Sequence, residues 1–394
     1  MLFEFNLYST LPLIFFFHIL IYSILFFIRS SRQENYADKL MGWFLFIGAF
    51  IVVPWMVGFA GWYDNQPYRD ILFFTPFVHT LAVGPLLYVY VRAITDFNFR
   101  IKGKAYLHFL PAILYLVYRL TATGLDVLVF DKYNLTNEYE DPDFAGWYNA
   151  LSTLSVLVYL FLSIKHFSAY KQYVKLTTSF ADLISLKWLR NFLYAFGLLT
   201  ILPIIRDVLS NFSFFEKMRY FGPWYYYVAF AIVVYYIAIN AYQAVYIHLR
   251  KIEFKPQLLL AYQEPGKDLE SKSDEEVVIL PVDEKGIELK NRILKLMEEE
   301  LLFEQPDLTL SDIAEKLATN SVVLSKAVNQ QFGMNFNDFI NQYRVNAVIE
   351  RINDPKFKNQ TLLAVAFDAG FNSKATFNRA FKKFTNKNPK EFLN

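Results

Sequence analysis

Residues 361–392 read TLLAVAFDAGFNSKATFNRAFKKFTNKNPKEF, and the rest of the chain is organised around them. An apolar-periodic segment, 361–369, closes on Gly370-Phe371, where glycine tolerates a tight bend between helices. Asn372-Ser373 offers a cap for a second helix. In that helix Phe377, Ala380, Phe381 and Phe384 recur at steps of three and four, so they share a buried face. Lys374, Asn378, Arg379 and Lys382 fall on the remaining surface. Residues 355–394 hold eight Lys/Arg against two Asp/Glu, a local balance of +6. That is the charge a helix needs to approach a phosphate backbone. The pattern predicts a helix-turn-helix that binds duplex DNA.

A second copy of this plan lies upstream. Residues 287–303 have helical spacing, and Pro306-Asp307 breaks the chain. Thr309, three residues before Asp312, then starts a helix by the capping pattern. A turn at Ala318-Thr319-Asn320 leads into SVVLSKAVNQQF, 321–332, with Leu324, Val328 and Phe332 on one face. Ser321, Val322, Ser325, Lys326 and Asn329 form the other face. A long helix over about 336–353 joins the two copies and ends at Asn353-Asp354-Pro355. Two such motifs on one connecting helix argue for DNA binding far more strongly than either alone.

The first 250 residues are of another kind. The chain of 394 residues is 55% hydrophobic and 19% aromatic, with a net charge of +2, and this average hides unlike regions. Seven apolar stretches, at 7–28, 40–60, 71–91, 106–125, 147–164, 188–209 and 224–247, approach the ~20 residues that cross a bilayer as a helix. Loops after the first, third, fifth and seventh are rich in Lys and Arg, among them Arg29, Arg32, Arg100, Lys102, Lys171 and Lys175. The alternate loops are acidic or poor in basic residues, notably 126–146. The positive-inside rule then puts the N-terminus outside and the tail in the cytoplasm, the side where DNA lies. Trp62, Trp147 and Trp224 would mark the outer interface, Trp43 and Trp188 the inner.

Charge inside such stretches costs several kcal/mol, so it points to function. Arg119, the pair Arg206-Asp207, and His79 are the candidate ligand-binding residues, all towards the outer side. Between the two parts, residues 264–284 hold eight acids against Lys267 and Lys272, which reads as a tether, with Val277–Val282 as a docking strand. The expected layout is all-α: a seven-span bundle over 1–250, a connector over 251–286, and a DNA-binding domain over 287–394. With no cysteine there is no disulfide or thiolate metal site, and the five histidines are scattered. No catalytic constellation, metal site or cofactor motif is expected.

From about Ile287 to Asn394 the chain resembles the AraC/XylS-type DNA-binding domain. The resemblance rests on Val365-Ala366, Gly370-Phe371, Ser373, the run Phe377 to Phe384, Pro389 and Phe392. Leu310 to Ala314, Leu324-Ser325-Lys326, Phe332-Gly333 and Phe339 to Val345 carry it in the first half. It departs from the family at Thr319-Asn320-Ser321 and at Val322-Val323, where an aromatic is frequent. The resemblance implies two recognition helices that enter successive major grooves about one helical turn apart. With its apolar half the whole chain resembles membrane-bound members of that family.

In these terms Ser321, Val322, Ser325, Lys326 and Asn329 are the expected contacts of the first head, and Lys374, Ala375 and Asn378 of the second. Asparagine can pair with adenine, and lysine with guanine or a phosphate. Arg379, Lys382, Lys383 and Lys387 are expected to neutralise phosphates. The implied partners are double-stranded DNA, a lipid bilayer, RNA polymerase, a small ligand or membrane signal, and a second copy of the chain. A transporter or scaffold with a DNA-tethering tail is the alternative reading, and it leaves the basic double motif without a regulatory role.

Overall fold

The computed structural model describes residues 3–130, 133–136, 141–181, 184–209, 218–243, 254, 259 and 284–392. Residues 264–283, with the Val277–Val282 patch, lie outside them. Regular structure among the described residues is helical, so the chain is all-α. It divides into two compact units: Met1–Phe167 with Lys187–Glu253, and Ser168–Leu186 with Phe254–Asn394. The second unit thus takes in a segment that the sequence reading places in the first domain.

Unit one holds α1 (Leu7–Gln33), α2 (Tyr36–Gly58), α3 (Tyr68–Phe74), α4 (Thr80–Thr95), α5 (Leu110–Leu125), most of α6 (Gly146–Thr177), α7 (Lys187–Leu209) and α8 (Met218–Gln243). Asn6 caps α1, its side chain accepting from the amides of Tyr8 and Ser9 while Ser9 answers with its hydroxyl, which satisfies donors a helix start leaves open. The contact of α1 with α2 is close: the Ser23 hydroxyl donates to the Gly42 carbonyl at 2.8 Å, and a Cβ at Gly42 would lie 2.8 Å from the Phe27 ring. Arg29 closes the same end by pairing with buried Asp38 at 2.7 Å.

Among the described residues, six helical segments are long and apolar enough to cross a membrane. The stretch 71–91 is the exception. It is broken into α3 and the sixteen-residue α4, with 75–79 non-helical between them. Pro76 explains the break, because its ring disfavours helical backbone at Thr75 and it has no amide proton to donate. Helix α4 is buried along nearly its whole length, as is most of α2. Its strong hydropathy therefore reflects an interior position. The opposite holds for α1, α5 and α7, which turn Ile14, Phe17, Ile113, Val117, Leu198 and Ile201 outward.

In unit two, α9 (Glu284–Glu298) is followed by α10 (Leu310–Lys316), α11 (Ser321–Phe332), α12 (Phe336–Asn353), α13 (Leu362–Asp368), α14 (Lys374–Thr385) and α15 (Pro389–Phe392). The starts of α10 to α14 are written in the sequence. Thr309 and Asp312 form the expected capping box on α10, and Asn320, Asn335, Thr361 and Ser373 cap the next four. One continuous core, including Ile293, Leu310, Leu324, Phe339, Val365, Phe377 and Phe381, runs through both helix-turn-helix motifs and α12. At 18 residues and ~1.5 Å per residue, α12 is a strut of about 27 Å.

The two turns share one hydrogen-bond pattern. Ala318 N–H donates to Glu315 O at 3.0 Å and Thr319 N–H to Ala314 O at 2.9 Å. Gly370 N–H donates to Phe367 O at 2.9 Å and Phe371 N–H to Ala366 O at 3.0 Å. Both pivots are left-handed, with φ of 51° at Ala318 and 93° at Gly370. Only the second is glycine, and only there is space missing: a Cβ would lie 2.5 Å from the Phe303 carbonyl oxygen.

Candidate nucleic-acid interface

The basic surface is concentrated on α14. Ser373 caps it through the Thr376 amide, and Phe377 and Phe381 anchor its inner face. Lys374, Ala375, Asn378, Arg379, Lys382 and Lys383 are exposed, as is Lys387 just beyond the helix. Lys374, Asn378 and Lys382 follow at four-residue steps, so they lie along one side of the helix. Asn378 stands between two lysines as an exposed residue, so the C=O and NH2 of its side-chain amide are open to a base-edge contact. Lys383 departs from expectation: its Nζ pairs with Asp338 at the start of α12, at 2.6 Å. It ties the second head to the strut, and its charge is already met.

Helix α11 presents a different surface. Val322, Val323, Lys326 and Gln330 are exposed and Ser321 is half-buried. Ser325 and Asn329, expected among the DNA contacts, are only 7% and 8% exposed. The reason is tertiary: α9 packs against α11, with Lys290 over the Phe332 ring, and Ser325, Asn329 and Phe332 lie on one stripe. A side chain enclosed in this way does not reach a base edge. Val323 and Gln330 take the open places instead, and the sequence reading missed both. The signal for Gln330 was available, since 322, 326 and 330 follow at steps of four opposite the Leu324–Val328 face.

The two heads therefore differ in chemistry. The second carries a cluster of positive charge and an exposed amide. The first offers one lysine among two valines and a glutamine, groups suited to thymine methyls and base edges. The joint between them is held by Arg344 of α12, which is 0% exposed. Its Nε donates to Phe303 O at 2.7 Å and one terminal nitrogen to Gln305 O at 2.6 Å. Burial pulls its pKa from 12.5 to about 9, with Asp307 acting in the opposite sense, so it stays cationic at neutral pH.

Of the candidate ligand-binding residues in unit one, Arg119 is buried, 1% exposed. It donates to Phe73 O at 2.9 Å and faces the Asp143 carboxylate at 3.6 Å. Asp143 in turn accepts from the amides of Phe77 and Val78, at 2.8 and 2.9 Å. This pair locks the turn before α6 onto the break before α4, so Arg119 does not reach outward to a lipid headgroup. It also lines a cavity of about 160 Å³ beside Tyr115 and Trp147. His79 sits at the start of α4, and no side-chain cap is made there. Arg206 and Asp207 lie in α7, and their side chains fall outside the described residues.

Comparison with known proteins agrees with the geometry of unit two. Residues 292–394 match the family model described as a helix-turn-helix domain, and this part of the chain is an AraC-type DNA-binding module. Similar segments occur in uncharacterised HTH-type transcriptional regulators of Staphylococcus aureus, strains COL and MSSA476. Each is 33% identical over 86 residues, which is 22% of this chain and 11% of the relative. The match thus spans about a tenth of the length of those relatives. No solved structure matches the chain.

Proposed function

We propose that the chain is a membrane-anchored, sequence-specific transcription regulator that couples a signal received by its apolar helices to gene expression. The observation that carries this reading is one chain holding both an AraC-type module and, among the described residues, six helices long and apolar enough to span a bilayer. The outward apolar side chains of α1, α5 and α7 support it, because such a surface is costly in water and neutral in lipid. Loop charge supports a cytoplasmic module with the N-terminus outside, a topology in which the buried sixteen-residue α4 counts as a seventh crossing. The second head supplies affinity through phosphates, and the first adds selectivity through uncharged contacts. RNA polymerase is the partner through which such binding alters transcription, and paired sites would favour a second copy of the chain.

The test is selection of duplexes by the full chain in lipid nanodiscs, followed by transcript profiling with and without the gene. Enriched sites upstream of the genes that change are expected. Failure to prefer any duplex over random competitor, or a periplasmic location for a reporter fused after Asn394, overturns the reading.

A further inference from the structure

Unit one encloses a cavity of about 350 Å³ between α2, α4, α6, α7, α8 and the turn at 142–144. Aromatic rings form much of its wall. Trp55 stacks on Tyr227 with centroids 4.8 Å apart and meets Phe144 edge-on at 5.3 Å. The Thr80 hydroxyl donates to that of Ser152 at 2.9 Å, and the Asn149 amide donates to Phe144 O at 2.9 Å. Among the described residues no charged side chain lines the cavity, so an ion would lose its hydration with nothing to replace it. Size and lining are those of a small-molecule site.

From this we infer a binding site for an uncharged molecule with a flat apolar body that lies against the aromatic wall formed by Trp55, Phe144 and Tyr227. The inference rests on the reading that unit one receives a signal, and it names the class of that signal. The experiment measures saturable binding of radiolabelled 2-acetylnaphthalene to the full chain in nanodiscs, with 2-naphthoate as its charged counterpart. The ketone should bind at one site per chain, and the carboxylate at least tenfold more weakly. Trp55→Ala, which removes the ring from the wall, should weaken the ketone about tenfold, and Val156→Phe, which fills the cavity from α6, should abolish binding. No saturable ketone binding, equal binding of the carboxylate, or indifference to both substitutions overturns the site. Duplex binding by the same samples reads the regulator function separately.

A different observation carries a second inference. Residues 168–186, the last turns of α6 and the loop leading to α7, belong to unit two. Ser179 is the centre of the contact. Its amide and its hydroxyl both donate to Leu308 O, at 3.1 and 2.9 Å, and the hydroxyl accepts from Arg344 at 3.0 Å. Thr178 bridges to Thr309, and Asn337 of α12 donates to Thr178 O at 3.1 Å. Phe180 beside them is fully buried. The segment therefore completes the shell of Arg344, whose other bonds run to the chain before α10 and whose Nε would lie 2.9 Å from a Cβ on Gly370. All three parts of the module meet there: first head, strut and the turn of the second head.

The geometry points to residues 178–181 as an intramolecular clamp on this joint, tied at both ends to apolar helices of unit one. Docked, it holds the two heads at a fixed spacing. The test uses the full chain in nanodiscs, a duplex it has selected, and the same duplex with five base pairs inserted between its halves. The intact chain should discriminate between them at least tenfold, and Ser179→Ala with Asn337→Ala should reduce that to under threefold. A merely stabilising contact would weaken both duplexes alike and leave the ratio unchanged. Hydrogen exchange should show protected amides at 178–181 that become fast in the double variant. An unchanged ratio, or fast exchange in the intact chain, overturns the clamp.

Discussion

Gly370→Ala should disable the DNA-binding module although the substitution adds a single methyl group. The pivot has φ of 93°, where an L-residue is strained by ~1–2 kcal/mol. The new Cβ would meet the Phe303 carbonyl at 2.5 Å and the Glu304 carbonyl at 2.8 Å, both backbone atoms with little freedom to retreat. Phe303 O also accepts from Arg344 Nε at 2.7 Å, so moving it strains a charged hydrogen bond worth ~1.5–3 kcal/mol. Together these give a loss of about 3–5 kcal/mol, a large share of the ~5–15 kcal/mol that holds a domain. Ala318→Gly supplies the control, since the same turn is left-handed there without the crowding. Relief of strain less the added freedom of the unfolded chain leaves a gain of about 0.5–1 kcal/mol. Hydrogen exchange of unit-two amides in the full chain measures both changes. A loss under about 1 kcal/mol at Gly370, or a loss at Ala318, refutes the account of the turns.

Asn378→Ala should relax preference at one base position by ~1–3 kcal/mol, read by competition between singly substituted duplexes; equal losses on all of them remove it from the base-reading set. Lys382→Ala should weaken every duplex alike and lower the slope of log K against log salt by about 1. Ser325→Ala should leave sequence preference unchanged, because the side chain is enclosed, whereas Val323→Ala should alter it; a selection experiment on each variant separates the two. Burial, with the Asp141 charge beside it, pushes Asp143 up to about 7, so its ionised form is disfavoured in the folded chain. Its contribution to stability is therefore present at low pH and lost as pH rises from about 4 through 7. Difference infrared spectroscopy should show a protonated carboxyl titrating near that value and absent in Asp143→Asn.

Local chemistry made much of unit two readable. Thr309 with Asp312, Ser373, and Gly370 each solve a problem that lies within a few residues, and the structure has them where the spacing put them. The enclosure of Ser325 and Asn329 was not readable, because it depends on α9 packing across α11 from some thirty residues away. The same limit applies to 71–91, whose composition suits a span while Pro76 breaks it and burial makes α4 an interior element. Arg119 was flagged by its cost in an apolar run, but its partner Asp143 sat unremarked in an acidic loop. Residues 178–181 gave no signal at all, since Thr-Ser-Phe-Ala is an ordinary loop sequence until Arg344 is placed beside it.

The unequal charge of the two reading helices separates grip from choice. On the proposed reading, most of the hold on the double helix would come from the basic surface of α14, with little from the exposed positions of α11. Those few positions could drift through many residue types without releasing the polymer, so a lineage could acquire new target promoters by altering Val322, Val323, Lys326 and Gln330 alone.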